Sequence, residues 1–342
     1  MQKILTEGDL LNASGGLCEA GYAMALIKRY DRSAIKANRF RIKEWDYYLI
    51  HNEDFGVALT LADNGYMGLV SASFLNFAKP HERTVSKMFW FPMGKTALPP
   101  TSAQGSSQKN LKGCSCSFTH EGGRRRLTLS MDNFAGGKPF SCELWLFGEP
   151  EDSMVIATPF KEAPRAFYYN QKIVGMRAEG WAEYLGERYE FQGTDSFGLL
   201  DWGRGVWTYS NTWYWGAAQG EVDGHSIGFN IGYGFGDTSA ASENMVFFDG
   251  MAHKLKEIDF GIPRANGRDD YMSVWHMTSS DGRFSMDFEP LLDRFSDTNA
   301  LLIRSCQHQV FGRFSGRLIL DDGREVEVKN LLGFAEKVKN RW

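Results

Sequence analysis

The chain has 342 residues, 43% of them hydrophobic and 23% charged, which is enough to bury one or two cores. Lysine and arginine number 38 against 42 aspartates and glutamates. This gives a net charge of −4, and the lack of a basic surface argues against nucleic acid as a partner. No apolar run of roughly 18 residues predicts a membrane-spanning helix, and the first residues lack the apolar region of a secretion signal.

The pattern of cysteines and histidines predicts neither a metal-binding site nor a framework of disulfide bonds. The five cysteines are odd in number and widely scattered, which favours free thiols and a cytoplasmic location. The seven histidines form neither HxH nor HExxH, so no bound metal is expected. The glycine-rich "GYGFG" lacks the strand–turn–helix context of a dinucleotide site, so no cofactor is expected. The expected partner is a small molecule, and the oligomeric state stays open.

Strand signals dominate the first half of the chain. Short apolar runs are separated by turn residues at 44–50, 55–63, 65–75, 83–91, 115–120, 125–132 and 140–147. Between them, Pro92–Gly113 is rich in Pro, Ser, Gly and Gln and is typical of a long surface loop, or of a loop that covers a cavity.

A second series of strand signals follows residue 172. The runs lie at 173–186, 187–193, 212–220, 225–236, 244–250, 271–277, 282–290, 311–320 and 324–334. Helical periodicity is confined to short segments near 33–38 and 334–340. The pattern therefore predicts an all-β fold of antiparallel barrels or sandwiches, and a faint repeat of an aromatic run, a polar turn and a glycine-containing strand suggests two similar halves.

The stretch "LLDWGRGVWTYSNTWYWGAAQG" (199–220) carries the densest aromatic signal. Asp201 and Arg204 either form an ion pair in a turn, or lie at the rim of a cavity where Arg204 orients Asp201 or binds an anion. Trp207, Trp213 and Trp215 are expected to form an aromatic wall beside them.

Two further segments complete the candidate site. In "GFNIGYGFG" (228–236), one strand face carries glycines and Asn230, and the other carries aromatic side chains such as Tyr233. Tight packing against the glycines is the more favoured explanation, and approach of a ligand is the alternative. Glu243 and Asn244 precede an apolar run, and a carboxyl against tryptophan surface would have a raised pKa and could protonate a substrate. The GxSxG at 224–228 is followed by a strand pattern, so a serine hydrolase is disfavoured.

The ordered motifs resemble those of a bacterial family, the domain of unknown function 2804. They are "FRIKEWDYYLI", "NGYMGL", "DWGRG", "WYWGAAQG", "GHSIGFNIGYG", "SENMVFFDG" and "GRFSGRLILDDGREVEVKNLLGFAEK". That family is distantly similar to the AttH and carotenoid 1,2-hydratase (hydroxyneurosporene synthase) group. This resemblance implies two lipocalin-like, calycin-type barrels. It also implies a possible acid that protonates an alkene in an aromatic cavity, but it assigns no catalytic residue here.

We therefore expect two packed lipocalin-like barrels, at 1–165 and 166–342. The predicted activity is metal-independent acid–base chemistry by Asp201 and Glu243, of hydratase, cyclase, isomerase, lyase or glycoside-hydrolase type. The predicted ligand-binding residues are Arg204, Trp207, Trp213, Trp215, Asn230, Tyr233 and Asn244. The alternatives are a carrier of a hydrophobic or sugar ligand without turnover, and an interaction module whose aromatic residues form a core.

Overall fold

The computed structural model describes residues 2–300 and 303–341. Its helices are two short 3-10 turns, Arg32–Ala34 and Arg39–Arg41. No helix in these ranges is long and apolar enough to cross a membrane. The prediction of an all-β fold is confirmed: the strands form two barrel-like sheets, one nearly closed and one a half-barrel.

The strands of the first part of the chain run as follows: β1 (Gly8–Asp9), β2 (Gly21–Ala23), β3 (Lys28–Arg29), β4 (Ile42–His51), β5 (Phe55–Asp63), β6 (Met67–Asn76), β7 (His81–Trp90), β8 (Gly105–Leu111), β9 (Cys114–Glu121), β10 (Arg124–Ala135), β11 (Lys138–Phe147), β12 (Met154–Phe160), β13 (Ala163–Tyr184), β14 (Glu187–Phe191) and β15 (Phe197–Val206). Thirteen of them form the first sheet, whose main path is β7-β6-β5-β4-β15-β13-β11-β10-β9-β8. β12 and β14 also pair with β13, β2 pairs with β12, and β1 and β3 pair apart.

The remaining strands are β16 (Ser210–Val222), β17 (His225–Tyr233), β18 (Met245–Phe248), β19 (Met251–Lys254), β20 (Ile258–Asp259), β21 (Arg264–Ala265), β22 (Arg268–Asp269), β23 (Trp275–Ser279), β24 (Phe284–Ala300), β25 (Ile303–Ile319) and β26 (Glu325–Arg341). The second sheet has the order β19-β18-β17-β16-β26-β25-β24-β23-β20. The short β21 and β22 form a separate pair.

The sheets divide the chain later than the sequence suggested. The expected boundary at 165/166 falls inside β13, which belongs to the first sheet, and sheet membership changes only between β15 and β16. The reason is that β13 pairs with β15, and β15 pairs in turn with the N-terminal strand β4. The division into two domains at 165/166 stays a prediction.

Two local predictions were wrong, and a third was correct only in part. The segment 334–340 is strand, because β26 pairs with both β16 and β25 along this length. The "DWGRG" motif is not a turn, because it lies inside the continuous strand β15. The predicted loop at 92–113 also contains strand β8.

The two sheets pack against each other through a shared apolar layer. Besides the core of each sheet, a third buried cluster joins strands β4, β5, β6 and β15 to strands β16, β25 and β26; its members include Tyr47, Leu199, Trp215, Phe311 and Phe334. A polar group of residues lies beside this layer, between the sheets.

Candidate functional site

Asp201 and Arg204 do not pair with each other. They are three residues apart in β15 and therefore point to opposite faces of the first sheet. Arg204 is fully buried in the core of that sheet, where it forms an ion pair with Asp46 at 3.1 Å. Its guanidinium also donates to the Trp45 carbonyl at 2.7 Å and the Pro99 carbonyl at 2.8 Å. The predicted ion pair between Asp201 and Arg204 is therefore wrong. Arg204 instead pairs with Asp46 inside the core of the first sheet.

Asp201 points toward the second sheet. Its directly opposite neighbour in β13 is Lys172, whose ammonium lies 2.9 Å from the carboxylate. Asn170 donates to the same carboxylate oxygen at 2.6 Å. The Lys172 ammonium also lies 3.7 Å from the ring centre of Trp215, in a cation–π contact with the second sheet. This buried pair therefore joins one sheet to the other.

A chain of hydrogen bonds leads from Trp215 to Glu243. The Trp215 indole donates to the side-chain carbonyl of Asn230 at 2.7 Å. The Asn230 amide donates to the Glu243 backbone carbonyl at 2.9 Å and to its carboxyl at 3.3 Å. Glu243 keeps some accessible surface, but the surrounding protein raises its pKa, chiefly by desolvation, with Lys172 and Asn230 opposing the rise and Asp201 adding to it.

Glu336 is a second buried carboxyl, 3% exposed. Its oxygens accept hydrogen bonds from the Trp213 indole at 2.8 Å, from Gln309 at 2.9 Å and from Gln307 at 3.3 Å. Burial nevertheless raises the Glu336 pKa to about 7. The Trp213 hydrogen bond and the charges of Arg294 and Lys172 limit that rise.

These groups form two facing rows of cross-strand neighbours. In the first sheet Tyr47, Asp201 and Lys172 are directly opposite one another on β4, β15 and β13. The second sheet has a matching row of cross-strand neighbours on β16, β26, β25 and β24: Trp215, Glu336, Gln309 and Arg294. We call the two rows the inter-sheet site, together with five neighbouring residues: Tyr168, Asn170, Trp213, Asn230 and Glu243.

Tyr168 lies where the charges of all three carboxyls of the inter-sheet site act on it. It lies on β13, on the same face as Lys172, and stacks on Trp45 with ring centres 6.2 Å apart. Its pKa is raised chiefly by burial, and Glu243, Asp201 and Glu336 all add to the rise. The charges of Glu243, Asp201 and Glu336 therefore all act on this phenol. Two buried ammonium groups act on the carboxyls in turn: Lys172 on Glu243 and Glu336, and Lys254 on Glu243.

Three other predicted residues lie outside this site. Tyr233 is on the opposite face of β17 from Asn230 and stacks on Tyr214 in the core of the second sheet. Asn244 is buried, and its side chain bonds to the backbone of Gly232 and Lys256. Arg204 lies in the first sheet, as described. Position in the structure therefore does not favour these three as ligand contacts.

Trp207 lines an open pocket of about 460 Å³ at the protein surface, beside the inter-sheet site. The cavity is lined by residues 163–166 and 206–209 and by Arg41. Trp207 packs edge-on against Trp213 with ring centres 5.6 Å apart, and Trp213 in turn donates to Glu336. Trp207 follows β15 and precedes β16, so it does not continue the strand that carries Trp213 and Trp215.

The family model for the domain of unknown function DUF2804 matches residues 1–342. The chain belongs to the DUF2804 family. No curated protein sequence matches it significantly.

Solved structures show what the fold of this DUF2804 protein is similar to. An AttH-type protein from Nitrosomonas europaea has 13% identity and a TM-score of 0.51, with 91% of this chain and 96% of that chain covered. CghA bound to Sch210972 has 11% identity and a TM-score of 0.51, with 98% of this chain and 97% of that chain covered. Kievitone hydratase from Nectria haematococca has 14% identity and a TM-score of 0.48, with 99% of this chain and 98% of that chain covered. The first two likenesses establish the fold alone.

Sequence reasoning missed several groups of the DUF2804 site: Lys172, Glu336, Tyr168, Tyr47, Gln309 and Arg294. The available signal for Glu336 was the two-residue period of "FAEKVKN", which places Glu336 on the same strand face as Phe334. A glutamate on the buried face of a strand is unusual enough to mark a candidate site.

The glycines of β17 are explained by packing. A Cβ on Gly228 would lie 2.7 Å from a methyl group of Val174, which stands at an irregularity in β13 where the first sheet touches the second. A Cβ on Gly232 would lie 2.6 Å from a Glu243 carboxyl oxygen. Gly232 thereby lets the Glu243 carboxyl lie directly over the strand. Among the described residues, no group of three His, Cys, Asp or Glu side chains is arranged to hold a metal ion.

Proposed function

We propose that this DUF2804 protein is a small-molecule enzyme that uses carboxyl acid–base chemistry at the inter-sheet site, of the hydratase or lyase kind. The observation that carries the proposal is the pair of carboxyls Glu336 and Glu243, whose pKa values are raised by desolvation although the buried Lys172 ammonium opposes the rise in both. For Glu336, a pKa of about 7 gives both the acid and its conjugate base at working pH, as general acid–base catalysis requires.

In a hydration, the protonated Glu336 carboxyl would give its proton to one alkene carbon. Water would attack the other carbon and give up a proton to a carboxylate such as Glu243. In an elimination the same steps run backwards, and the acid protonates the departing hydroxyl group. The indole rings of Trp213 and Trp215 offer flat faces that stabilise developing positive charge.

Asp201 has a supporting part in this proposal. Its ion pair with Lys172 and its hydrogen bond from Asn170 hold the ammonium between the two sheets. The negative charge of Asp201 also helps to raise the pKa of Glu243 and Glu336, which keeps protons on those carboxyls. Asp201 and Glu243 remain the catalytic candidates from the sequence, and Glu336 joins them as the proposed acid.

A conversion screen tests the proposal. The protein is incubated with a panel of alkenes and of alcohols able to lose water, and products heavier or lighter by one water are sought by mass spectrometry. The expected result is conversion that Glu336→Gln lowers by a factor of about a hundred or more, the range for a lost general acid. Glu325→Gln is the matched control, since Glu325 is solvent-exposed on the same strand. Conversion that persists in Glu336→Gln would contradict the proposal.

The cavity beside Trp207 supports a second candidate, a carrier that binds a small ligand without converting it. Its volume of about 460 Å³ lies within the usual range for ligand pockets. In that case ligands would bind the wild type and Glu336→Gln equally, and no product would form. If no small molecule bound at all, the aromatic residues would be core, as in an interaction module.

The cellular location belongs to the same proposal. All five cysteines are free, and three of them, Cys114, Cys116 and Cys142, are buried. Free thiols fit a reducing compartment, so we place the protein in the cytoplasm. Measuring its distribution in fractionated cells tests this, and recovery outside the cytoplasm would contradict it.

A further inference from the structure

Three buried polar atoms of the inter-sheet site lack a hydrogen-bond partner within the described residues. They are the Tyr47 hydroxyl, the Gln309 side-chain carbonyl and the Asn170 side-chain carbonyl. The three side chains are 7%, 1% and 0% exposed. Buried polar groups are nearly always hydrogen-bonded, so three unpartnered atoms in one site need an explanation.

Two of the three residues donate hydrogen bonds to carboxyl groups of the site, and the third is a cross-strand neighbour of Asp201. The Gln309 amide donates to Glu336, and the Asn170 amide donates to Asp201. Tyr47 stands opposite Asp201 across the strand pair and packs edge-on against Trp215, with ring centres 5.9 Å apart. Its hydroxyl lies beside the Gln309 amide, which opposes the rise of the Tyr47 pKa, but no hydrogen bond of normal geometry joins the two groups.

The orientation of the two amides does not remove the problem. Asn170 donates to two acceptors, Asp201 and the Trp202 carbonyl, so its own carbonyl is the free end. Gln309 has one end of its amide bonded to Glu336, so whichever way the group is turned, its other end is free. Phenylalanine and leucine would fill the same volumes without an unpartnered atom, and packing alone therefore does not account for these polar residues.

We infer that the molecule taken by the inter-sheet site is polyhydroxylated, with hydroxyl groups that hydrogen-bond to Tyr47, Gln309 and Asn170. This rests on the proposed function and names its substrate class. The two carbonyl oxygens accept hydrogen bonds only, and the phenol both donates and accepts. A ligand hydroxyl can donate and accept, so hydroxyl groups fit all three positions. A hydrocarbon would leave all three atoms unpartnered and is rejected for that reason.

Binding of matched probes tests the inference. Saturation-transfer NMR and calorimetry compare cyclohexane-1,2-diol with cyclohexene, geraniol with myrcene, and methyl glucoside as a polyol. We expect the hydroxylated member of each pair to bind more tightly, and Tyr47→Phe to weaken that binding about tenfold, as for one good hydrogen bond. Tyr48→Phe is the matched control, because Tyr48 points to the opposite face and contacts Arg125.

Each outcome separates this inference from the proposed function. Tighter binding of the hydrocarbons, or binding of the diols that is unchanged in Tyr47→Phe, would overturn the inference. Conversion of a hydrocarbon that depends on Glu336 would overturn it while the proposed acid–base function stands. Hydroxylated probes that bind through Tyr47 but are never converted would support it and refute the enzyme. If no probe binds the wild type, both fail.

The thermal stability of the Tyr47→Phe variant tests the inference independently of ligand binding. An unpartnered hydroxyl contributes no hydrogen bond to the fold, so Tyr47→Phe should melt within a degree or two of the wild type, or higher. A large fall in melting temperature would show that the hydroxyl is a structural bond, and the inference would be wrong.

Discussion

Replacing Glu336 by glutamine should make the protein more stable at alkaline pH. The Glu336 pKa is about 7 in the folded protein against an ordinary value of 4.5. Between these two values the folded state holds a proton that the unfolded state has released, so stability falls as pH rises through this window. Below this window Glu336 is protonated in both the folded and the unfolded state. Above it Glu336 is ionised in both states, and the folded state bears the full free-energy cost of a buried negative charge. Glutamine stays neutral and avoids that cost.

The size of the effect follows from the shift. A difference of 2.5 pKa units, from 4.5 to about 7, at about 1.4 kcal/mol per unit gives a cost on the order of 3 kcal/mol. Roughly 2.5 kcal/mol of this falls between pH 5 and pH 8. Urea unfolding of wild type and Glu336→Gln at both pH values measures it. The free energy of unfolding of the variant, relative to wild type, should rise by that amount.

Comparing the two proteins removes other pH effects. Lys254, whose pKa burial lowers to about 7, and His51, whose pKa burial lowers to about 4, titrate in both. The glutamine can also be accommodated, because Gln309 can turn its unpartnered carbonyl toward the new amide. A variant whose stability relative to wild type is the same at pH 5 and pH 8 would show that Glu336 is ionised throughout, and the proposed acid would be refuted.

Two further experiments test the arrangement around β15. Double-mutant cycles measure the coupling between two substitutions in the free energy of unfolding. We expect a coupling of about 1 kcal/mol or more between Arg204→Met and Asp46→Asn, and almost none between Arg204→Met and Asp201→Asn. The reverse result would restore the Asp201–Arg204 pair expected from the sequence. Gly203→Ala should cost about 1–3 kcal/mol, because the new Cβ would lie 1.9 Å from the Trp45 ring. Adding Trp45→Leu to Gly203→Ala should recover part of this loss, and a fully stable single variant would contradict the packing.

The fold class was predictable because its signals are local. Short alternating runs and turn residues are visible in one sequence, and they correctly gave an all-β chain. The segment 334–340 shows where local signals fail. Its Ala, Glu and Lys residues favour helix, but pairing on both sides by β16 and β25 holds it as strand. Likewise, the glycines of "DWGRG" suggested a turn, whereas Gly203 makes room for the Trp45 ring within a strand.

The candidate site was only partly predictable because it is assembled from both sheets. Asn230 was expected to be buried and hydrogen-bonded, and it is, between Trp215 and Glu243. Lys172 and Glu336 were missed because their partners lie far along the chain or on the other sheet. The Trp213 indole that bonds to Glu336 is 123 residues away, and Lys172 contacts Trp215 of the second sheet. Which strands face each other is decided by the packing of two sheets, and no local pattern of residues records it.

The pKa of Glu336 tests the central claim most directly. Protein labelled with carbon-13 at the glutamate carboxyl carbons is titrated by NMR from pH 4 to pH 9, and the Glu336 signal is identified by its loss in Glu336→Gln. The account predicts a midpoint near 7, well separated from the exposed glutamates, and a higher midpoint in Trp213→Phe, which removes the indole donor. A midpoint below about 5 would mean that the carboxyl is ionised at working pH like an ordinary glutamate, and the proposed acid would be lost.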